Sequence, residues 1–246
     1  MSAGRCLKPR SRSGKMADSI LTLLQHDVLE GLFAAGLGDR GYYLTGGTAL
    51  AEFYFKHRYS DDLDLFTRKG ELHSEDISLA EKVFDALGLQ IFRETKGGNF
   101  ARYFMSRSGQ SEKLKVEFCL DVGAMMAPPL RQERVVVDSL EDISVNKVCA
   151  ILGRLPSEPK DFSDLYFILK DTSFTLDYLL TRAREKESAF DDEEGQLRFA
   201  VMLRGAGKLE RMPKMIRPLT RDEMGAFLIP LADTIIMRFK PEGGGS

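Results

Sequence analysis

The feature that most limits how this chain can fold is a change in the spacing of its apolar residues, from period two to period 3.6, near Asp142. Ahead of that point DDLDLF, LQIFRE, NFARYFMS and LKVEFCLDV read as strands, with KGGN turning the second into the third. In LKVEFCLDV, Val116, Phe118 and Leu120 alternate with Lys115, Glu117, Cys119 and Asp121, the pattern of a sheet buried on one face. RVVVDS is expected to add an edge strand. Three helices accompany these strands. Ile20 to Leu37 carries Ile20, Leu23, Leu24, Val28, Leu29, Leu32 and Phe33 on one stripe and stops near Gly36 and Gly38. Thr48 to Lys56 follows the short strand and glycine turn YYLTGG, and Asp76 to Leu87 is ended by Gly88. Beyond Asp142, SVNKVCAILGRL, Asp161 to Lys170, Leu176 to Lys186, Glu193 to Leu203 and Thr220 to Met237 are all helical in pattern, separated by proline, glycine or polar breaks. The expected architecture is α+β: a mixed-sheet core over residues 17–140 and a helical lobe over 141–240. Residues 1–16 read as a flexible basic leader, and residues 241–246, PEGGGS, as a disordered tail.

Composition narrows the class. With 246 residues, 43% hydrophobic and 29% charged, the chain can bury a real core and is neither collagenous nor intrinsically disordered. No apolar run approaches the roughly 20 residues that span a bilayer, and no apolar core follows the N-terminal basic residues, so a cytoplasmic protein without membrane contact is expected. Cys119 and Cys149 lie among apolar neighbours and read as small buried hydrophobes, whereas Cys6 belongs to the leader. His26, His57 and His73 lack the spacing of zinc ligands. The formal net charge of −2 conceals asymmetry: residues 197–221 hold Arg198, Arg204, Lys208, Arg211, Lys214, Arg217 and Arg221 against the single acid Glu210. That segment is either a solvated helical face or a surface for a polyanion.

Asp62 and Asp64 stand two apart in a strand, so both carboxylates leave the same face while Leu63 and Leu65 enter the core. Adjacent like charges call for a cation. Magnesium suits them, because it combines carboxylate oxygens with substrate phosphates and retains waters. In two-metal sites one ion activates the attacking oxygen and the other stabilises the leaving group. The strand, glycine turn and helix just before supply free backbone N–H groups where phosphate can lie. Gly46 and Gly47 permit close approach, and Thr48 is expected to cap the helix or offer its hydroxyl to a phosphate. Each feature also has an ordinary reading, as a strand-to-helix turn and a solvated strand end. Their combination is more specific than either.

GGTALAEFYFKHRYSDDLDLF resembles the signature of the AbiEii/MenT-type nucleotidyltransferase toxins, a branch of the DNA polymerase β-like superfamily: a GG-T-A-L helix start, H-R-x-S, then D-x-D on a strand. The family's second motif, a helical lysine followed by R-x-x-x-x-x-K/R-D-x-x-D-L, is matched by SVNKVCAILGRLPSEPKDFSDLYFIL, with Lys147, Arg154, Lys160, Asp161 and Asp164. The resemblance covers about residues 40–170. It implies a polymerase β-like core and nucleotide triphosphate as substrate. Gly46, Gly47 and Thr48 would bind the triphosphate, Asp62 and Asp64 would ligate Mg2+ (or Mn2+), and Arg58, Ser60, Lys147 and Asp161 would complete the site. Arg58 is suited to a phosphate by its planar fork of donors, or else pairs with Asp61 or Asp62 at the surface. Polymerase β-like enzymes often add a third acid on a neighbouring strand. Glu117, in mid-strand, is chosen as that ligand or as a base over Asp121, at the strand's exit.

The resemblance further implies transfer of a nucleoside monophosphate to a tRNA 3′ end or a protein hydroxyl, with release of pyrophosphate, and a toxin restrained by a separate antitoxin. The basic segment favours RNA, although few aromatics accompany it for base stacking. The rivals are a nucleotide-binding module without transfer activity and an interaction scaffold.

Overall fold

A computed structural model describes residues 19–154 and 157–239. The expected leader, Cys6 and the tail lie outside the described residues. The chain divides into two compact units. One holds the described residues up to Val122 together with Ala127–Leu140; the other holds Gly123–Met126 and the described residues from Glu141 onward.

The first unit is built on a mixed seven-stranded sheet in the order β3-β4-β5-β2-β1-β7-β6. Its strands are β1 (Tyr42–Thr45), β2 (Asp62–Thr67), β3 (Leu89–Lys96), β4 (Phe100–Arg107), β5 (Leu114–Leu120), β6 (Leu130–Gln132) and β7 (Val135–Val137). β2 lies in the middle, antiparallel to β1 and parallel to β5. The alternation in DLDLFT is realised: Leu63 and Leu65 are buried while Asp62, Asp64 and Phe66 are only partly so. Val116 and Phe118 of β5 and Tyr103 and Met105 of β4 join them in the core. Phe118 meets Tyr42 and Tyr103 edge-on. Complete burial of side chains of this size stabilises by about 1.5–3 kcal/mol each, which fixes the register that carries the acids.

Helix α1 (Leu23–Ala34) is shorter than its apolar stripe suggested, because Thr22 and Gln25 close a capping box and start the helix at Leu23. Helix α3 (Ser74–Ala86) packs Phe84 against Tyr103. The helix after β1 departs most from expectation. It begins at Gly46 as α2 (Gly46–Ala49), not at Thr48, and continues as a π-helical turn over Leu50–Phe55. Lys56, at φ 50°, ends it in the left-handed conformation. RVVVDS does form a strand, β7, but not at the edge: β6 covers it, antiparallel, and β7 adds to β1 in parallel. The three residues of β6 are too few for a period to show in sequence.

The second unit is helical. Its helices are α4 (Leu140–Gly153, of which the unit takes all but the first residue), α5 (Pro159–Asp171), α6 (Leu176–Ala183), α7 (Glu193–Arg204) and α8 (Arg221–Arg238). Local chemistry sets their starts: Thr175, Asp192 and Thr220 cap α6, α7 and α8, and Pro159 opens α5. Phe162, Leu165, Ile168, Phe199, Leu203, Met224, Leu228 and Ile235 bury the stripes that the 3.6-residue period marked. Among the described residues no helix is long and apolar enough to cross a membrane.

Both described cysteines keep free thiols and are half-buried rather than enclosed. Burial pushes the Cys119 thiol up to about 12, helped by the nearby Glu117 and Asp64 carboxylates, and pushes Cys149 up to about 11. At pH 8 both stay protonated, so in a Cys6→Ser background a thiol reagent is expected to label the folded protein at least about tenfold more slowly than the unfolded chain. Equal rates would contradict this.

Candidate active site

The site grows from a backbone constraint. β1 ends at Thr45, whose register partner on β2 is Asp64. The chain then turns through Gly46 at φ 72°, a left-handed conformation that favours glycine. A Cβ at Gly46 would run into the Asp64 carboxylate, and one at Gly47 would meet the Arg58 guanidinium and lie 3.1 Å from the Ser60 hydroxyl oxygen. The two glycines therefore let the start of a helix pass directly over a carboxylate, a guanidinium and a hydroxyl. Gly46→Ala is expected to cost about 1–2 kcal/mol of stability from backbone strain alone. By displacing Asp64 it should lower activity well beyond that loss, as parallel thermal unfolding and transfer assays would show.

Thr48 corrects one expectation. It lies inside the helix, and Thr45, whose side chain makes no capping bond, is the cap residue. The buried Thr48 hydroxyl instead donates to the Asp62 carbonyl, tying the helix start to β2 from behind. Arg58 corrects another. At 2% exposure it is buried rather than at the surface, and its Nη1 donates to the Tyr59 carbonyl at 2.9 Å.

β5 supplies the neighbouring residues. Parallel pairing sets Asp62 beside Lys115 and Asp64 beside Glu117. Lys115 Nζ lies 2.9 Å from Asp62 Oδ2 and 2.7 Å from Glu117 Oε2, and Arg102 Nε on β4 lies 2.5 Å from Glu117 Oε1. Burial alone would raise the Glu117 carboxyl, but these two cations outweigh it and hold the group below the usual range. The Lys115 ammonium is pulled down by burial and, more strongly, pushed up by Asp62 and Glu117. Asp121, the other candidate acid, accepts from the Tyr43 hydroxyl at 2.7 Å and pairs with Arg68. Register thus puts Glu117, not Asp121, beside Asp64.

Two residues with a place here escaped the sequence reading. Lys115 was visible on the polar face of its strand, but only strand pairing shows that it meets Asp62. Asp138, just past β7, is buried and accepts from the Thr45 hydroxyl at 2.6 Å and from the Ser139 amide at 2.9 Å. Nothing in RVVVDS signals it.

The second motif comes together inside the helical unit. Lys147 on α4, 6% exposed, places Nζ 2.8 Å from Asp161 Oδ1 and 2.7 Å from Asp164 Oδ2, both carboxylates lying one turn apart on α5 and fully buried. Arg154 Nη1 reaches the other oxygen of Asp161 at 2.7 Å. The basic segment is less open than its charge count implied. Arg204 pairs with Asp233, Arg217 with Asp171, and Arg221 donates to the Leu209 carbonyl. Arg198, Arg204, Lys208, Arg211, Lys214 and Arg221 are nevertheless all exposed.

Among the described residues no group of three or more His, Cys, Asp or Glu is placed to hold a metal ion. The expected third ligand, Glu117, has its two oxygens engaged by Lys115 and Arg102. Asp62, itself paired with Lys115, and Asp64 are two carboxylates on one partly open face beside a glycine turn. This donor set fits an ion whose remaining ligands are phosphate oxygens and water.

A mixed sheet with paired acids on its central strand, faced by a glycine turn, places the chain among the nucleotidyltransferases. More narrowly, it belongs to the AbiEii family, described as a nucleotidyl transferase toxin of type IV toxin–antitoxin systems, whose model matches residues 27–238. It is therefore a nucleotidyltransferase, and its family implies a nucleotide substrate and a cognate antitoxin. Among solved structures, JHP933 from Helicobacter pylori is 20% identical with a TM-score of 0.54, covering 93% of this chain and 95% of its own. An H. pylori chain described as a candidate nucleotidyltransferase is 21% identical with a TM-score of 0.56, covering 92% and 100%. At such identities the likeness speaks for the fold alone. No curated protein sequence matches the chain.

Proposed function

We propose that this enzyme transfers a nucleoside monophosphate from a nucleotide triphosphate to RNA, with a tRNA 3′ end as acceptor, releasing pyrophosphate with the help of Mg2+ or Mn2+ held by Asp62 and Asp64. The reading rests chiefly on the packing of Gly46 against Asp64 and of Gly47 against Arg58 and Ser60. That packing sets backbone N–H groups, a rigid cationic fork and two carboxylates within one small patch, as polyphosphate transfer requires. When bound, the ion neutralises the phosphates and favours the attacking hydroxylate. Gly46 and Gly47 admit the triphosphate, Thr48 holds the turn, Ser60 orients phosphate oxygens, and the buried Arg58 lends its charge from beneath Gly47. Glu117 holds Lys115, the cation beside Asp62, together with Arg102, and serves as a base only if freed from them. Family resemblance adds Lys147 and Asp161 to the catalytic set, and within their unit Asp161 positions the lysine. The exposed cations of residues 198–214 favour RNA as acceptor, and a cytoplasmic setting would supply it.

Incubation with each of the four α-labelled triphosphates, Mg2+ and total tRNA tests the proposal. Label is expected in tRNA. Label in protein instead would make a protein hydroxyl the acceptor. Bound nucleotide without any transfer would leave a binding module.

A further inference from the structure

We propose that Lys115 is the resident counter-ion of the metal site: it holds Asp62 in the metal-free protein, and a divalent ion must displace it to bind. This rests on the reading that Asp62 and Asp64 carry the ion. The geometry is imposed by the backbone, since the parallel register places Lys115 directly beside Asp62 and its Nζ reaches Oδ2 at 2.9 Å. A magnesium ion sits about 2.0–2.1 Å from each ligand oxygen. An ammonium already 2.9 Å from Oδ2 competes with an ion for that oxygen.

Lys115 also has somewhere to go. Its second contact, Glu117 Oε2 at 2.7 Å, survives if the Asp62 contact breaks, and the other Glu117 oxygen is anchored by Arg102 at 2.5 Å. Lysine is suited to this exchange, being a compact charge on a flexible stem with three rotatable donors, whereas Arg102 is a planar group fixed on its carboxylate. The Lys115 side chain is 24% exposed, so the ammonium can swing towards solvent. Glu117 is then a positioning residue that retains the displaced lysine, not a metal ligand.

Mn2+ binding without nucleotide, measured by calorimetry on the full chain, tests the displacement. Lys115→Met keeps the aliphatic stem and removes the competitor. It is expected to bind Mn2+ about fivefold or more tightly than the parent, while Lys115→Arg stays within about twofold. Asp62→Asn should abolish binding in every background. A second readout uses the unaltered protein: Mg2+ should speed acetylation of Lys115, followed by mass spectrometry, because the ammonium loses one of the two carboxylates that hold it. If Lys115→Met does not fold, this rate decides, and no change on adding Mg2+ overturns the proposal. Equal Mn2+ affinity of the parent and Lys115→Met, both dependent on Asp62, would overturn the displacement and leave the metal site standing. Absence of Asp62-dependent Mn2+ binding from both proteins would overturn the metal site and the displacement with it.

Discussion

Asp62→Asn and Asp64→Asn are each expected to lower nucleotide transfer by about a thousandfold or more, the first while leaving the fold nearly as stable as before. Metal-ion stabilisation of a phosphoryl transition state is worth several kcal/mol, and about 1.36 kcal/mol corresponds to a tenfold change in rate. For Asp62→Asn stability should move little, because that side chain lies on a partly open face and its partner, Lys115, keeps Glu117. Losing an ion pair of such exposure costs about 1 kcal/mol at most. Rate assays beside thermal unfolding separate the two effects, and growth arrest in cells should be lost with the activity. An interaction scaffold would behave oppositely, its cellular effect surviving both substitutions.

Lys147→Met is expected to have the opposite profile, with loss of stability as the dominant effect. The lysine lies between Asp161 and Asp164, two fully buried carboxylates, and Asp161 also meets Arg154. Removing one partner of a buried ion pair strands the other charge and costs about 3–5 kcal/mol, where a well-matched apolar replacement of the whole set would cost far less. For a unit of this size that is a fall in Tm of about 10 °C or more. Combining Lys147→Met with Asp164→Asn should recover part of the loss, since one stranded charge is removed, and the double-mutant cycle measures their coupling. An unchanged Tm in Lys147→Met would show that the cluster contributes nothing to folding. Activity assays on this variant belong well below its midpoint, where any remaining defect reflects the catalytic part assigned to Lys147 and not unfolding.

The parts of the site written in local chemistry were legible in the sequence. Alternation put Asp62 and Asp64 on one face, and the paired glycines marked a turn whose first residue, Gly46, takes φ 72°. Helix starts in the second half were equally plain, because Thr175, Asp192 and Thr220 cap within three residues of themselves. What escaped depends on partners distant in the chain. Lys115 acquires its meaning from strand register, Asp138 from the docking of β7 beside β1, and β7 loses its edge position to a three-residue strand. Thr48 was misread for a related reason: its hydroxyl serves a carbonyl fourteen residues away rather than its own helix. The basic segment shows the limit of counting charges, since Arg204 and Arg217 reach acids on other elements of their unit.

One measurement bears most directly on the claim that Asp62 and Asp64 hold the ion while the glycine turn holds phosphate. It is a crystal structure of the full chain with a non-hydrolysable nucleotide triphosphate and Mn2+, read from the anomalous signal of the metal. The expected result is Mn2+ at about 2.0–2.3 Å from oxygens of both Asp62 and Asp64, with phosphate oxygens over the Gly46 and Gly47 amides and the Lys115 ammonium withdrawn from Asp62. Nucleotide and metal bound elsewhere, with Lys115 still on Asp62 and nothing at the glycine turn, would contradict it.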